Sequence, residues 1–332
     1  MKISIIGCGL IGRKRAIALE KDDILVSCCD INEDIGKKFS SDFNCKYYKS
    51  YKKLLKNSDS DVIIVSVINK YSKKIVLECL NHDKHVLLEK PMGINEKESI
   101  IMHKKSILKN KILKIGFNHR FHPSLLKAKE VVDKGIIGDI LFIHGIYGHG
   151  GREGMEKEWR SSKKLCGGGE LLDQGVHMID LTNMFVDDIT KVYGNISTKF
   201  WNIEVEDNAF FHLKTKNGID IQIHVSWNIW KNTFIYEIYG NKGYIKINGL
   251  GRWYGTETLE LGIRKSNDVP DIELFEYKTD IDNSWNLEWE NFKHSINNNI
   301  QPFGDSKDGV KANRIIDAIY KSSKKNKIIN IK

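Results

Sequence analysis

Three groups of residues in this 332-residue chain have the types and spacing to do chemistry. The first is Gly7-Cys8-Gly9-Leu10-Ile11-Gly12, directly after the apolar run Ile3–Ile6 and opening a helical pattern over Ile11–Leu19. In the order strand, G-x-G-x-x-G, helix, the first glycine allows a tight turn. The second lets the backbone approach a pyrophosphate, and the third lets helix and strand pack closely. Free N–H groups and the helix dipole then face the phosphates. Asp30 ends the next apolar run, Ile24–Cys29. A carboxylate there accepts hydrogen bonds from a ribose 2′-OH and repels a 2′-phosphate, which favours NAD over NADP. Arg13 lies near enough in sequence to help a phosphate, which leaves NADP as the less favoured alternative.

The second group is Glu89-Lys90-Pro91, behind the apolar run His85–Leu88. Ligands of open α/β sheets bind at the carboxyl ends of strands, so a lysine here can lie half-buried beside a cofactor. Pro91 fixes the turn, and a cis bond is one way to do so. A plain surface Lys-Pro turn would give the same string. The third group is Asp173 and His177, four apart on a predicted helix over Leu171–Phe185 and so on one face of it. Imidazole titrates near neutral pH and suits a general base. No paired ligand spacing accompanies His177, which argues against a metal.

These groups need a scaffold, and the first half of the chain supplies one. Further strands are predicted at Asp61–Val67 and Leu113–Phe117, and helices at Tyr51–Leu55, Lys73–Leu80 and Asn95–Leu108. Val/Ile runs alternating with helical patterns indicate a parallel sheet covered on both faces. In the second half a helix is expected at Pro123–Lys134 and a strand at Ile140–Tyr147. The stretch Gly148–Gly169 has no useful period and is long for a connection. With His149, Arg152, Lys157 and Arg160 it can hold an anionic or polyhydroxyl substrate. Strands follow at Lys191–Ile196, Ala209–Leu213, Ile219–Trp227, Phe234–Tyr239 and Tyr244–Ile247, then closing helices at Trp285–Ile296 and Val310–Tyr320. Trp227, Trp230 and Trp253 are candidate core or interface aromatics.

Composition bounds the function classes. Charged residues make up 29% and hydrophobic ones 41%, an ordinary globular balance, and the length suits two domains. The net charge of +9 comes from scattered lysines such as Lys104, Lys105, Lys109 and Lys111. A nucleic-acid binder would gather it on one face, so nucleic acid is not an expected partner. The 6 cysteines include no CxxC pair, against both a disulfide framework and zinc. No apolar run reaches the roughly 18 residues that span a bilayer. The expectation is a cytoplasmic protein without a membrane partner.

GCGLIG at Gly7–Gly12, EKP at Glu89–Pro91 and GGGELLDQGVHMIDL at Gly167–Leu181, in that order, resemble the Gfo/Idh/MocA oxidoreductases. The resemblance implies an N-terminal Rossmann domain over 1–119, a doubly wound parallel sheet. It implies a C-terminal α+β domain over 120–332 with a large, mostly antiparallel open sheet. It also implies a nicotinamide cofactor and hydride transfer at a carbinol carbon of a sugar, sugar nucleotide or cyclitol. Lys90, Asp173 and His177 then match the catalytic positions. The cofactor set is Gly7, Gly9, Leu10, Ile11, Gly12, Asp30, Asn69, Glu89, Lys90 and Asn118, with Trp159 and Arg160 near the nicotinamide. Arg120, His149 and Arg152 join Lys90, Asp173 and His177 as substrate contacts. One turn departs from the family pattern T-P-N-x-x-H: it reads Val67-Ile68-Asn69-Lys70-Tyr71-Ser72, keeping only the asparagine.

The expected activity is an NAD-dependent dehydrogenase, with the basic loop favouring a phosphate-bearing substrate such as a nucleotide-linked sugar. Aromatics on an exposed sheet face predict a homodimer or homotetramer through the C-terminal sheet. The rivals are an NAD-dependent glycosidase working by transient oxidation and elimination, and a cofactor-sensing protein without turnover.

Overall fold

The computed structural model of the chain describes residues 1–266, 268–278 and 281–331. They divide into two units, Met1–Asn118 with Trp285–Asn313, and His119–Ser284 with Arg314–Lys332.

The first unit holds strands β1 (Lys2–Ile6), β2 (Ile24–Cys29), β3 (Lys46–Tyr48), β4 (Val62–Val65), β5 (His85–Leu88) and β6 (Leu113–Ile115). They form a parallel sheet in the order β3-β2-β1-β4-β5-β6. The order reverses between β1 and β4, the point at which open α/β sheets take their ligands. Every residue of β4 is buried, as a strand covered on both faces requires. The helix Glu33–Asp42 and strand β3 had no clear sequence signal. That helix buries only Gly36 and Phe39, so its apolar stripe is thin, and its start is marked by Asn32, whose side chain accepts from the N–H groups of Asp34 and Ile35.

The segment Trp285–Asn313 belongs with this unit, whereas the sequence placed all of 120–332 in the second domain. The reason is burial across a long sequence separation. Trp289 and Phe292, on the helix Ser284–Asn298, enter the core formed by Ile3, Ile5, Val62 and Ile64. The Trp289 indole donates to Asp23 Oδ2 at 2.6 Å, and Lys293 pairs with Glu20, Asp22 and Asp23.

The second unit is built on β7 (Ile140–Gly148), β8 (Ile189–Ser197), β9 (Asn208–Thr215), β10 (Asp220–Ser226), β11 (Thr233–Gly240), β12 (Gly243–Asn248), β13 (Glu257–Ile263), β14 (Asp271–Tyr277) and β15 (Ile329–Asn330). Their order is β14-β13-β12-β11-β7-β10-β9-β8-β15, and only β7 and β10 run parallel. Alternation sends Ile143, Tyr147, Phe234, Tyr236, Ile221 and Ile223 inward, where the helices Pro123–Asp133 and Gly175–Phe185 pack. The opposite face carries aromatics, with Phe142 stacked on Tyr239 and Phe210 on His224. Trp227 is buried, while Trp230 and Trp253 are exposed. β13 and β14 extend the sheet beyond the last strand expected from sequence.

The helix predicted over Leu171–Phe185 is two helices, Glu170–Asp173 and Gly175–Phe185, broken at Gln174. The first packs on β9 and β10 and the second on β7, so the axis must change between them. Asp173 and His177 thus lie on two successive short helices rather than on the one helix predicted.

The Trp289 anchor is testable. Trp289→Ala should cost about 3–5 kcal/mol, read from the urea midpoint, the usual scale for emptying a large buried aromatic site. Burial raises the Asp23 carboxyl, but the Met1 ammonium, Trp289 and Lys293 outweigh it and hold its pKa below the ordinary value. Its contribution is then complete above the unfolded-state pKa and is lost as pH falls through the lower folded value. Asp23→Asn should show a shallower loss of stability in acid than the wild type.

Candidate active site

In the first unit the three glycines of the loop are glycine for different reasons. Gly7 has φ +97°, and a Cβ there would lie 2.1 Å from the carbonyl oxygen of Ser66. A Cβ on Gly12 would lie 2.0 Å from the carbonyl oxygen of Gly7. Nothing lies within 4 Å of the Cβ position of Gly9. Packing thus demands Gly7 and Gly12, while Gly9 leaves open space at the head of the helix Leu10–Ile17. That helix has no side-chain cap and no acidic residue in its first turn. Its first N–H groups and this open cradle fit a pyrophosphate. Leu10 is exposed and Ile11 half-buried beside it.

Asp30 follows β2, with Oδ2 accepting from the Cys8 N–H and Oδ1 from the Asn32 N–H, each at 2.8 Å. These bonds fix the carboxylate and leave acceptor capacity on both oxygens for ribose hydroxyls. Arg13 turns away toward the helix Glu33–Asp42, where it pairs with Asp42 and lies over Phe43. It is committed elsewhere, which removes the nearest cation for a 2′-phosphate. Ser66 Oγ donates to the Gly7 carbonyl at 2.8 Å and ties the end of β4 to the loop. Buried Asn69 opens the next helix, Asn69–Asn81.

At the end of β5, Glu89 Oε1 accepts from Arg15 Nε at 2.6 Å. Arg15 Nη1 donates to Glu288 Oε2, also at 2.6 Å, and the guanidinium lies 4.4 Å from the Trp285 ring centre. Burial raises the Glu89 pKa, opposed by Arg15 and reinforced by Glu288. Lys90 follows half-buried, and the Lys90–Pro91 bond is cis. Asn118 is buried at the start of the 3-10 turn Asn118–Phe121.

In the second unit His177 is buried near the start of the helix Gly175–Phe185. The His119 ring stacks on it, with centroids 3.7 Å apart and planes within 10°. His119 Nε2 lies 3.0 Å from the Tyr147 hydroxyl. Burial, then Tyr254, Glu170 and Asp173, hold the Tyr147 phenol well above its ordinary pKa. Asp173 Oδ2 lies 3.4 Å from Arg160 Nε, and the Arg160 guanidinium covers the Trp159 ring at 4.4 Å. Asp173, Trp159 and Arg160 are thus brought together, and His177 joins a cluster that the motifs did not name. His119 stands between Asn118 and Arg120, both singled out, and carried no spacing signal of its own. Tyr147 was visible only as the last residue of a predicted strand, and Tyr254 lies in an irregular turn.

Other expected substrate contacts are engaged within this unit. Arg120 is buried, with Nε and Nη2 donating to the two oxygens of Asp180 at 2.8 and 2.6 Å. Arg152 donates to both oxygens of Glu158. His149 Nδ1 accepts from the Gly151 N–H at 3.0 Å. The glycine run has a structural cause: a Cβ on Gly169 would lie 1.9 Å from the Glu206 carbonyl oxygen, and one on Gly168 would lie 2.0 Å from the Tyr320 hydroxyl. Buried Glu206 Oε1 accepts from the N–H groups of Gly169 and Leu171 and from Tyr320, which seats the helix carrying Asp173.

The glycine loop separates folding from binding. Gly9→Ala should melt at the wild-type temperature yet bind NADH at least about tenfold more weakly, because its methyl fills only the cradle. Gly12→Ala should lower the melting temperature as well, since its methyl meets backbone. Calorimetry and NADH fluorescence titration read the two effects.

Comparison with known proteins agrees with both units. Residues 1–117 match the model described as oxidoreductase family, NAD-binding Rossmann fold, and residues 125–246 match the GFO/IDH/MocA C-terminal domain. The chain is 31% identical over 239 residues to glucose-6-phosphate 3-dehydrogenase of Bacillus subtilis, covering 68% of this chain and 67% of that protein. It is 24% identical to inositol 2-dehydrogenase/D-chiro-inositol 3-dehydrogenase of Lactiplantibacillus plantarum, covering 97% and 90%. Among solved structures, a levoglucosan dehydrogenase in complex with NADH shares the fold at TM-score 0.92 and 20% identity, covering 100% of this chain and 99% of that one. The WlbA dehydrogenase from Bordetella pertussis, in complex with NADH and UDP-GlcNAcA, shares it at 0.85 and 19%, with the same coverage. Glycine loop, EKP turn and glycine-led helix thus lie in a chain matched in both halves, and it belongs to the Gfo/Idh/MocA family of NAD(P)-dependent oxidoreductases.

Proposed function

We propose that this protein is an NAD-dependent dehydrogenase that interconverts a secondary alcohol and a ketone on a sugar or cyclitol. The observation that carries the reading is the open Gly9 cradle with Asp30 fixed beside it and Arg13 turned away. The loop Gly7–Gly12, with Leu10 and Ile11, holds the pyrophosphate, and Asp30 takes the ribose hydroxyls. Asn69, Glu89 and Asn118 complete this unit's share of the cofactor site, and Trp159 and Arg160 are assigned to the nicotinamide end. When bound, the nicotinamide accepts or returns the hydride.

The chain's own groups handle the proton and the charge. His177 takes the hydroxyl proton as general base, and Asp173 orients the substrate. The Lys90 ammonium stabilises negative charge developing on the oxygen. Arg120, closed into its pair with Asp180, holds the helix of His177 and does not reach for substrate. His149 and the loop Gly148–Gly169 contact the hydroxyl groups.

The basic loop supports a neutral substrate more than the sequence suggested. Both oxygens of Glu158 engage Arg152, and Asp173 pairs with Arg160, so the two arginines of the loop are already met by carboxylates. Sugar- and inositol-acting relatives support the class. A second copy of the chain is the partner best suited to the aromatic open face of the nine-stranded sheet.

The test is NADH formation from NAD⁺, and NADPH formation from NADP⁺, offered with myo-inositol, glucose, levoglucosan, glucose 6-phosphate and a UDP-sugar. Turnover of a neutral polyol with NAD⁺ is the expected result. Preference for NADP⁺, or for the UDP-sugar alone, would overturn the cofactor or substrate reading respectively. On the best substrate, His177→Ala should lower kcat and kcat/KM together by about 10²–10⁴-fold, and Lys90→Met comparably. NADH affinity should survive in both. Wild-type turnover by either variant would remove that residue from the mechanism.

A further inference from the structure

His119 takes no part in the function proposed above, yet its ring is closely matched to that of His177. Its ring lies parallel on the face of the His177 ring at 3.7 Å, and both residues are buried. It is held from the other side by the Tyr147 hydroxyl at 3.0 Å, and its edges meet Tyr147, His122 and Phe234. Two buried titratable rings in this arrangement are coupled whatever else surrounds them.

We propose that His119 is a positioning residue for His177: the stack fixes the plane of the catalytic ring, and His119 competes with it for the first proton the pair takes up. The inference rests on the reading of His177 as the base. Two imidazolium charges at this separation repel strongly even at the effective dielectric of a protein surface. The rings therefore titrate as a pair with two separated steps. A proton resting on His119 leaves His177 neutral, the form that accepts a proton from a hydroxyl.

The groups facing the pair permit this competition. From β7 and the turn before β13 come Tyr147 and Tyr254, both held as neutral phenols by burial. From the helix Glu170–Asp173 come two carboxylates that act on those tyrosines and favour a positive charge nearby. Among the flanking charges, Arg120 pairs with Asp180, and His122 lies beside Glu257 and Asp282. Tyr147 thus anchors His119 without titrating in the range where the imidazoles do.

Histidine-selective NMR of the full chain with NAD⁺ tests the proposal without a substrate, the His177 signal being identified by its loss in His177→Gln. The wild-type His177 signal should titrate in two steps. His119→Phe keeps a ring on the face of His177 and removes the competing proton site. There His177 should titrate in one step, with its midpoint raised by about one unit, the scale on which a like charge within 4–6 Å acts. His119→Gln should give the same single, raised step if the Phe variant does not fold. Tyr147→Phe should keep the two-step titration but lower kcat at unchanged KM on the substrate found above. A single step with the same midpoint in wild type and both His119 variants would overturn the inference and leave the base assignment standing. Wild-type turnover by His177→Ala would overturn the base assignment and with it the positioning role of His119, whatever the titration shows.

Discussion

A guanidinium taken out of water has to be met by carboxylates, and a buried charge left without its partner costs several kcal/mol. Arg15 imposes that requirement on the first unit. It rides on the helix that opens at the glycine loop and is almost wholly buried. Glu89 and Glu288 meet it at 2.6 Å each. One contact fixes the residue before Lys90 at the end of β5, and the other fixes the C-terminal helix on the nucleotide fold. The helix that would face a pyrophosphate, the turn that carries Lys90 and a segment from beyond residue 284 share one charge. Gly116 adds to the constraint, because a Cβ there would lie 2.6 Å from Arg15 Nη2.

The second unit solves a similar problem with Arg120 and Asp180. Their two parallel hydrogen bonds join the 3-10 turn at 118–121 to the helix of His177 and set the turn so that His119 covers the His177 ring. Glu206 does the same for the neighbouring helix through backbone N–H groups and Tyr320. Buried polar groups in both units are thus spent on orienting short elements that carry chemistry. Within the second unit β7 supplies Tyr147, on the buried side of the nine-stranded sheet.

The loop between Gly148 and Gly169 shows how charge in a sequence overstates charge in a site. Its string of Arg, Lys and Glu reads as basic and ready for an anion. Folding pairs Arg152 with Glu158 and Arg160 with Asp173, and the Arg160 guanidinium lies over the Trp159 ring. Pairing of this kind depends on turns of a few residues, including two 3-10 turns and a four-residue helix, that have no periodicity to read.

By itself the sequence determined the features that repeat or that obey local sterics. Alternating Val/Ile runs and helical stretches specify a parallel sheet because both faces must be covered. The spacing of Gly7, Gly9 and Gly12 and the position of Asp30 specify a dinucleotide loop because turn, approach and packing each need a missing Cβ. Strand-rich segments and turn signals after residue 189 mark a β-rich second half, including the strand over Phe234–Tyr239. Tertiary structure alone decided the rest. That Trp289 completes the core of Ile3 and Ile5, that the helix over 171–185 breaks at Gln174, and that His119 stacks on His177 are contacts between residues far apart or between elements of different direction. No local pattern encodes them, because the free energy that selects them arises only when distant surfaces exclude water from one another and buried charges find their partners.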